Sequence, residues 1–251
     1  MAADDRVAAR ATSARSPRVA IVVALGVERA SLQPHLSRTT TGISIHQSGP
    51  GGARAAQAAR AALADGATAL VSWGLAGGLV PGLAPGTVVL PKQLLVRGGG
   101  SFRSDPAWHA KLAAMLGAQF VLDDRSLFGA THVLATPHLK AQAALATGAV
   151  AVDMESAAIA EVAESAGARF VAVRVIVDAH SDLLPPGAER WIDASGNRRM
   201  AAAIDAALTP THWPALWTLG QRYRIARRVL RQLADRLLPS EFFLPATEPS
   251  T

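Results

Sequence analysis

The sequence predicts an α/β fold of three layers, a mixed central sheet flanked by helices, with an amphipathic helix added at the C-terminal end. Three observations carry this expectation: short β-branched apolar runs bounded by glycines, alanine-rich stretches between those runs, and a length of 251 residues. That length suits one domain of about 200 to 250 residues. Half of the residues are apolar, enough for a sizeable core without disulfides, and there is no cysteine. Thiol nucleophiles, Cys-ligated zinc and iron–sulfur centres are thereby excluded.

The elements follow in order. Val19 to Leu25 is an apolar run of the kind buried on both faces of a sheet. Ile43 to Gln47 alternates, as a half-buried strand does. Ser48-Gly49-Pro50-Gly51-Gly52 breaks the chain, and Ala53 to Ala64 is rich enough in alanine to be helical. Thr68 to Trp73 is the next strand, running into a second glycine turn, Gly74-Leu75-Ala76-Gly77-Gly78. A strand is expected over Thr87 to Val96, a helix over Pro106 to Leu116, a short strand over His132 to Ala135 and a helix over His138 to Ala146. Ala149 to Val152 then reads as strand, Glu155 to Ala166 as helix and Arg169 to Val177 as strand. Alternation at this spacing implies a parallel or mixed sheet covered on both faces. Leu183 to Gly187 is a loop by composition, and a helix is expected around Arg199 to Leu208.

Residues 1–17 and 240–251 read as tails, the first disordered and without the apolar core of a secretory signal. No apolar run approaches the roughly 18 to 20 residues needed to cross a bilayer. The net charge of +6 is concentrated: between Trp213 and Pro239 six arginines face a single acid, Asp235. The rest of the chain is near neutral, which argues against a nucleic-acid partner. Within residues 210–239 an apolar stripe recurs at Leu216, Leu219, Tyr223, Ala226, Leu230, Leu233 and Leu237. Arg224, Arg227, Arg228 and Arg231 take the opposite face of this helix. Such a helix either packs on the domain or a subunit, or lies in an anionic membrane surface.

Three acids stand where a parallel α/β fold gathers its ligands: Glu28 after the first strand, Glu155 opening a helix and Asp178 closing a strand. Each has an ordinary alternative as a cap, a turn residue or a charge at a helix start. The segments Val152-Asp153-Met154-Glu155-Ser156-Ala157-Ala158-Ile159-Ala160 and Val173-Arg174-Val175-Ile176-Val177-Asp178 resemble those of the purine nucleoside phosphorylase and methylthioadenosine/adenosylhomocysteine nucleosidase superfamily. Ala24-Leu25-Gly26-Val27-Glu28 and the two glycine loops match the same family in the same order. Residues 132–140, 184–186, 192–197 and the C-terminal helix are similar to its hopanoid-associated phosphorylases. The resemblance implies a nucleoside phosphorylase-like domain over residues 18–209 and a homodimer; a cytoplasmic enzyme is expected, at the inner face of the membrane if the C-terminal helix takes the second of its two readings. It implies adenine release from a 5′-substituted adenosine, with adenosylhopane phosphorolysis as the leading reading and a hydrolytic nucleosidase as the alternative. A non-catalytic nucleoside- or membrane-binding protein is the third.

By that resemblance Asp178 protonates the leaving purine near N7, and a desolvated cleft would help keep it protonated. Glu155 accepts hydrogen bonds from the ribose hydroxyls, and Met154 packs under the sugar. Ala76, Gly77, Val152, Asp153 and His138 are the purine-binding candidates. The nucleophile stays open on the residues. Glu28 sits where a nucleosidase activates water, whereas Gly49, Gly51, Gly52, Arg54 and Arg174 are candidates to hold phosphate at a helix N-terminus. No cofactor or metal is expected, only inorganic phosphate as co-substrate. Leu75 and Val177 replace the serines usual in nucleosidases, which points toward a more apolar ligand.

Overall fold

The computed structural model describes residues 18–36, 42–184, 194–196 and 213–239. Among the described residues ten strands form one sheet: β1 (Val19–Val23), β2 (Ile43–Gln47), β3 (Ala69–Gly78), β4 (Val88–Val89), β5 (Gln93–Val96), β6 (Ser101–Arg103), β7 (Leu122–Asp123), β8 (Leu127–Gly129), β9 (Ala151–Asp153) and β10 (Arg169–Asp178). The helices are α1 (Gly26–Leu36), α2 (Gly52–Ala64), α3 (Pro106–Leu116), α4 (Pro137–Thr147), α5 (Ser156–Ser165) and α6 (Trp213–Leu237).

The order β6-β5-β8-β9-β3-β10-β4-β7, with β1 against β3 and β2 outside β1, makes the sheet mixed. The parallel pairs β1–β3 and β3–β10 are its centre. Side chains alternate across it as the pleat demands. Val19, Ile21, Val23, Trp73, Val171, Val173 and Val175 face a core shared with Leu32 of α1, Trp108 and Leu112 of α3, and Leu230 and Leu233 of α6. Ala20, Val22, Leu70 and Ala172 face the other core, with Ala55, Ala59 and Ala62 of α2 and Ile159 and Ala163 of α5. Helices thus cover both faces, giving the three layers expected.

Several elements differ from expectation. The second glycine turn is instead the end of β3, which runs on to Gly78. The single strand expected over Thr87 to Val96 is two, because the segment changes neighbours: β4 pairs with β10 and β7, β5 with β6 and β8. Pro91 lies between them and has no N–H for a ladder. No strand forms over His132 to Ala135; Leu134 packs instead into a third core with Leu79, Phe128 and Val152. A short run with one buried side chain reads the same in a loop as in a strand. The helix expected around 199–208 and both tails lie outside the described residues.

From Ala226 onward the C-terminal stripe packs on the domain. Ala226, Leu230, Leu233, Ala234 and Leu237 are fully buried, and His35 of α1 reaches Asp235 of α6 at 2.8 Å. From Ala226 to Leu237 the apolar face is therefore taken up by the domain. No described helix is long and apolar enough to cross a membrane.

Candidate active site

The sheet makes the site by leaving a gap. One edge of β3 is paired with β10 from Ala69 to Gly77. The other is shared, with β1 ending opposite Ser72 and β9 beginning opposite Gly77. Leu75, in the stretch between, donates its N–H to Glu28 Oε1 at 2.9 Å. Glu28 Oε2 accepts from the amides of Ala24 (2.8 Å) and Leu25 (2.9 Å), the turn that joins β1 to α1. A glutamate in the first turn of α1 is thus folded back over the end of β1 and held by three amides.

Arg174, on β10, is 1 % exposed. Its Nε lies 2.7 Å from Asp153 Oδ2 and 3.0 Å from Ser156 Oγ, and its Nη2 donates to Ser72 Oγ at 2.6 Å. Glu155 Oε2 is 4.0 Å from Nη2. Nη1 has no hydrogen-bond partner, the one such buried side-chain nitrogen or oxygen among the described residues. It lies on the Glu28 side, for a Cβ built on Gly74 would collide with both Arg174 Nη1 and Glu28 Oε1. Position 74 has to be glycine for both to stand this close to its backbone.

Glu155 precedes α5 but does not cap it; its Oε1 accepts from Gly51 N, at the start of α2, at 2.8 Å. Gly51 has φ +101°, a conformation that favours glycine. Glu155 therefore sits at the N-termini of two helices, where an anion is favoured. Burial, with Asp153 and Glu28 nearby, nonetheless raises its pKa to about 7 against the opposing pull of Arg174 and the Gly51 amide. Burial likewise raises Glu28, opposed by Arg174 and the three amides.

Asp178 closes β10 beyond a one-residue irregularity that sets it opposite Gly77 rather than Gly78. Bulges of this kind re-aim side chains. Its carboxylate lies over Gly77, near Val152 of β9, and it makes a buried ion pair with Lys140 of α4. Burial raises its pKa, against Lys140 and Arg222.

The structure thus brings Glu28, Glu155 and Arg174 together, and places Asp178 beside Gly77 and Val152. Ala76, next to Gly77 on β3, is buried; Met154 is half-buried beside Glu155. Several other candidates are engaged within the chain or lie at its surface. Asp153 is engaged by Arg174 and Ser156, so it positions the arginine rather than facing a purine. Arg54 is exposed, with Nη1 on the Pro50 carbonyl at 2.9 Å. Gly49 is covered by the backbone of Ala194, Gly51 N is taken by Glu155, and Gly52 packs beside the Met154 carbonyl and Ala158. The expected phosphate loop is thus partly engaged by the protein's own groups, while Arg54 keeps its remaining guanidinium nitrogens at the surface and Arg174 an unpartnered Nη1. His138 is exposed near the start of α4. Lys140, Ser72, Ser156 and Gly74 belong to the site and were not anticipated. The available signal for Lys140 was slight, a single charged residue in an apolar helix of alanines and leucines.

No curated protein matches the chain by sequence. Solved structures share its fold. A methylthioadenosine-bound 5′-methylthioadenosine nucleosidase variant of Helicobacter pylori superposes with TM-score 0.61 at 16 % identity, covering 88 % of this chain and 99 % of that one. Futalosine hydrolase of the same organism gives 0.63 at 16 % identity over 88 % and 99 %. The S-adenosylhomocysteine nucleosidase of Streptococcus pyogenes gives 0.60 at 20 % over 88 % and 99 %. The profile of the phosphorylase superfamily matches residues 27–209, a span that holds all three acids and Arg174, and the chain belongs to that superfamily.

Proposed function

We propose that this chain hydrolyses the N-glycosidic bond of a purine nucleoside, with water as the nucleophile. The observation that carries the choice of water is the surroundings of Arg174: its unpartnered Nη1 beside Glu28, inside a cluster of carboxylates. With Nε and Nη2 of Arg174 already used by Asp153, Ser156 and Ser72, the guanidinium has one unpartnered nitrogen to offer, which suits a water better than a phosphate dianion. A water between Nη1 and Glu28 Oε1 would have both a donor and an acceptor. Similarity to two nucleosidases and a hydrolase supports the same reading.

In this reading ionised Glu28 takes a proton from water as the water oxygen bonds to C1′. The C1′–N9 electron pair passes to the base, and N7 takes a proton from Asp178. Glu155 accepts from the ribose hydroxyls, bonds that strengthen as the sugar becomes cationic. The products are free base and free sugar. Glu28 and Asp178 then exchange their protons with solvent.

The test is base release from adenosine, inosine, 5′-methylthioadenosine and adenosylhopane, each with and without inorganic phosphate. Release in phosphate-free buffer with a free reducing sugar is expected. Release that requires phosphate, giving a sugar 1-phosphate, would instead establish phosphorolysis, and turnover of adenosylhopane alone would fix the hopanoid substrate implied by the sequence resemblance.

A further inference from the structure

Lys140 has no part in the chemistry above. It is 1 % exposed in a helix with no other charged residue, and a buried ammonium is costly unless its partners are good. Its partners here are the Asp178 carboxylate, at Oδ2, and the Ala179 carbonyl at 2.7 Å. Both lie at the end of β10, just past the irregularity that turns Asp178 over Gly77. Oδ2 is thereby committed to the lysine, and Oδ1 is left as the oxygen for the purine. The remaining charge facing Asp178 is Arg222 of α6, which is itself paired with Asp182. Asp182 in turn accepts from the amide of Ala179 at 2.7 Å, so the second cation is largely answered by its own acid.

We infer that Lys140 is a positioning residue for the purine acid: it fixes the carboxyl group of Asp178 by its Oδ2 and keeps that buried group a strong enough acid to give its proton to the base. This rests on the hydrolytic reading of the site. A carboxyl group buried without a cation holds its proton too tightly to be a good donor, and a catalytic acid works best when its proton affinity is matched to the operating pH. The ammonium supplies the matching cation without touching the nucleoside.

The experiment compares wild type, Lys140→Met, Lys140→Arg, Asp178→Asn and the Lys140→Met/Asp178→Asn double variant, reading the pH profile of kcat/KM for base release. Without its cation Asp178 stays protonated to higher pH, so in Lys140→Met the alkaline limb should move up by about one unit or more, while kcat falls. Lys140→Arg should keep the limb near its wild-type position. In the Asp178→Asn background Lys140→Met should change the rate less than twofold, because its effect passes through the acid. A fall in kcat with the limb unmoved, or an equal fall in the Asp178→Asn background, would overturn the inference. If wild type releases no base from any nucleoside, the hydrolytic reading fails separately. The inference is then read from the 13C titration of the Asp178 carboxyl, which should move up in Lys140→Met; an unmoved titration overturns it.

Discussion

Gly74 has no room for a methyl group, because Glu28 and Arg174 both crowd the place where one would be. Gly74→Ala should lower stability by about 1–3 kcal/mol, read as a shift in the urea midpoint, and should cut kcat/KM by separating the two side chains. Asp178→Asn should lower kcat by about 10²–10⁴-fold, as loss of a general acid does, with the fold unchanged by circular dichroism. Glu155 makes a pH prediction. Its folded pKa is raised by burial from 4.5 to about 7, so the stability it contributes is complete below 4.5 and lost as pH rises through about 7. Urea unfolding at pH 5 and pH 8 should show Glu155→Gln gaining on wild type as pH rises; a constant difference would refute the assignment. The three acids were legible from sequence because each stands at a strand end or helix start. Lys140 was not, since it stands 38 positions before Asp178 and nothing in between says that α4 returns to the end of β10.

The C-terminal helix shows what an amphipathic pattern settles and what it leaves open. Its stripe was plain in the spacing, but the same stripe fits a protein core or a membrane surface. From Ala226 onward the stripe packs against α1 and β10 in the core, at full burial of Leu230, Leu233 and Leu237. Leu233→Ala should therefore cost about 2–5 kcal/mol. Arg227→Ala and Arg228→Ala, on the exposed face, should stay within about 0.5 kcal/mol. Urea melts of the three variants separate these cases. The glycine segment 74–78 misled in the other direction. Glycines ordinarily break a strand, yet here β3 continues through them, because Glu28, Arg174 and Asp178 all approach its backbone and need the space that side chains would fill.

At the scale of the molecule, α6 is a wall of the fold rather than an appendage. It covers the core that Val88, Leu90, Val173 and Val175 share with α1 and α3. A chain ending at residue 212 should expose that face and be recovered as aggregate, whereas one ending at residue 239 should remain soluble by sedimentation; a soluble, folded shorter chain would contradict this. By itself the sequence determined the alternation of strands and helices, the two faces of the sheet and the three acids, because these follow from local periodicity and from where polar groups interrupt it. Only the tertiary structure decided which groups share the site. The gap between β1 and β9 along β3, the crossing of Glu155 to Gly51, and the use of the Ser48–Arg54 loop by the protein itself depend on segments more than a hundred residues apart. Proximity of that kind is set by strand order and packing, which no local pattern encodes, and the proposal of water as the nucleophile rests on it.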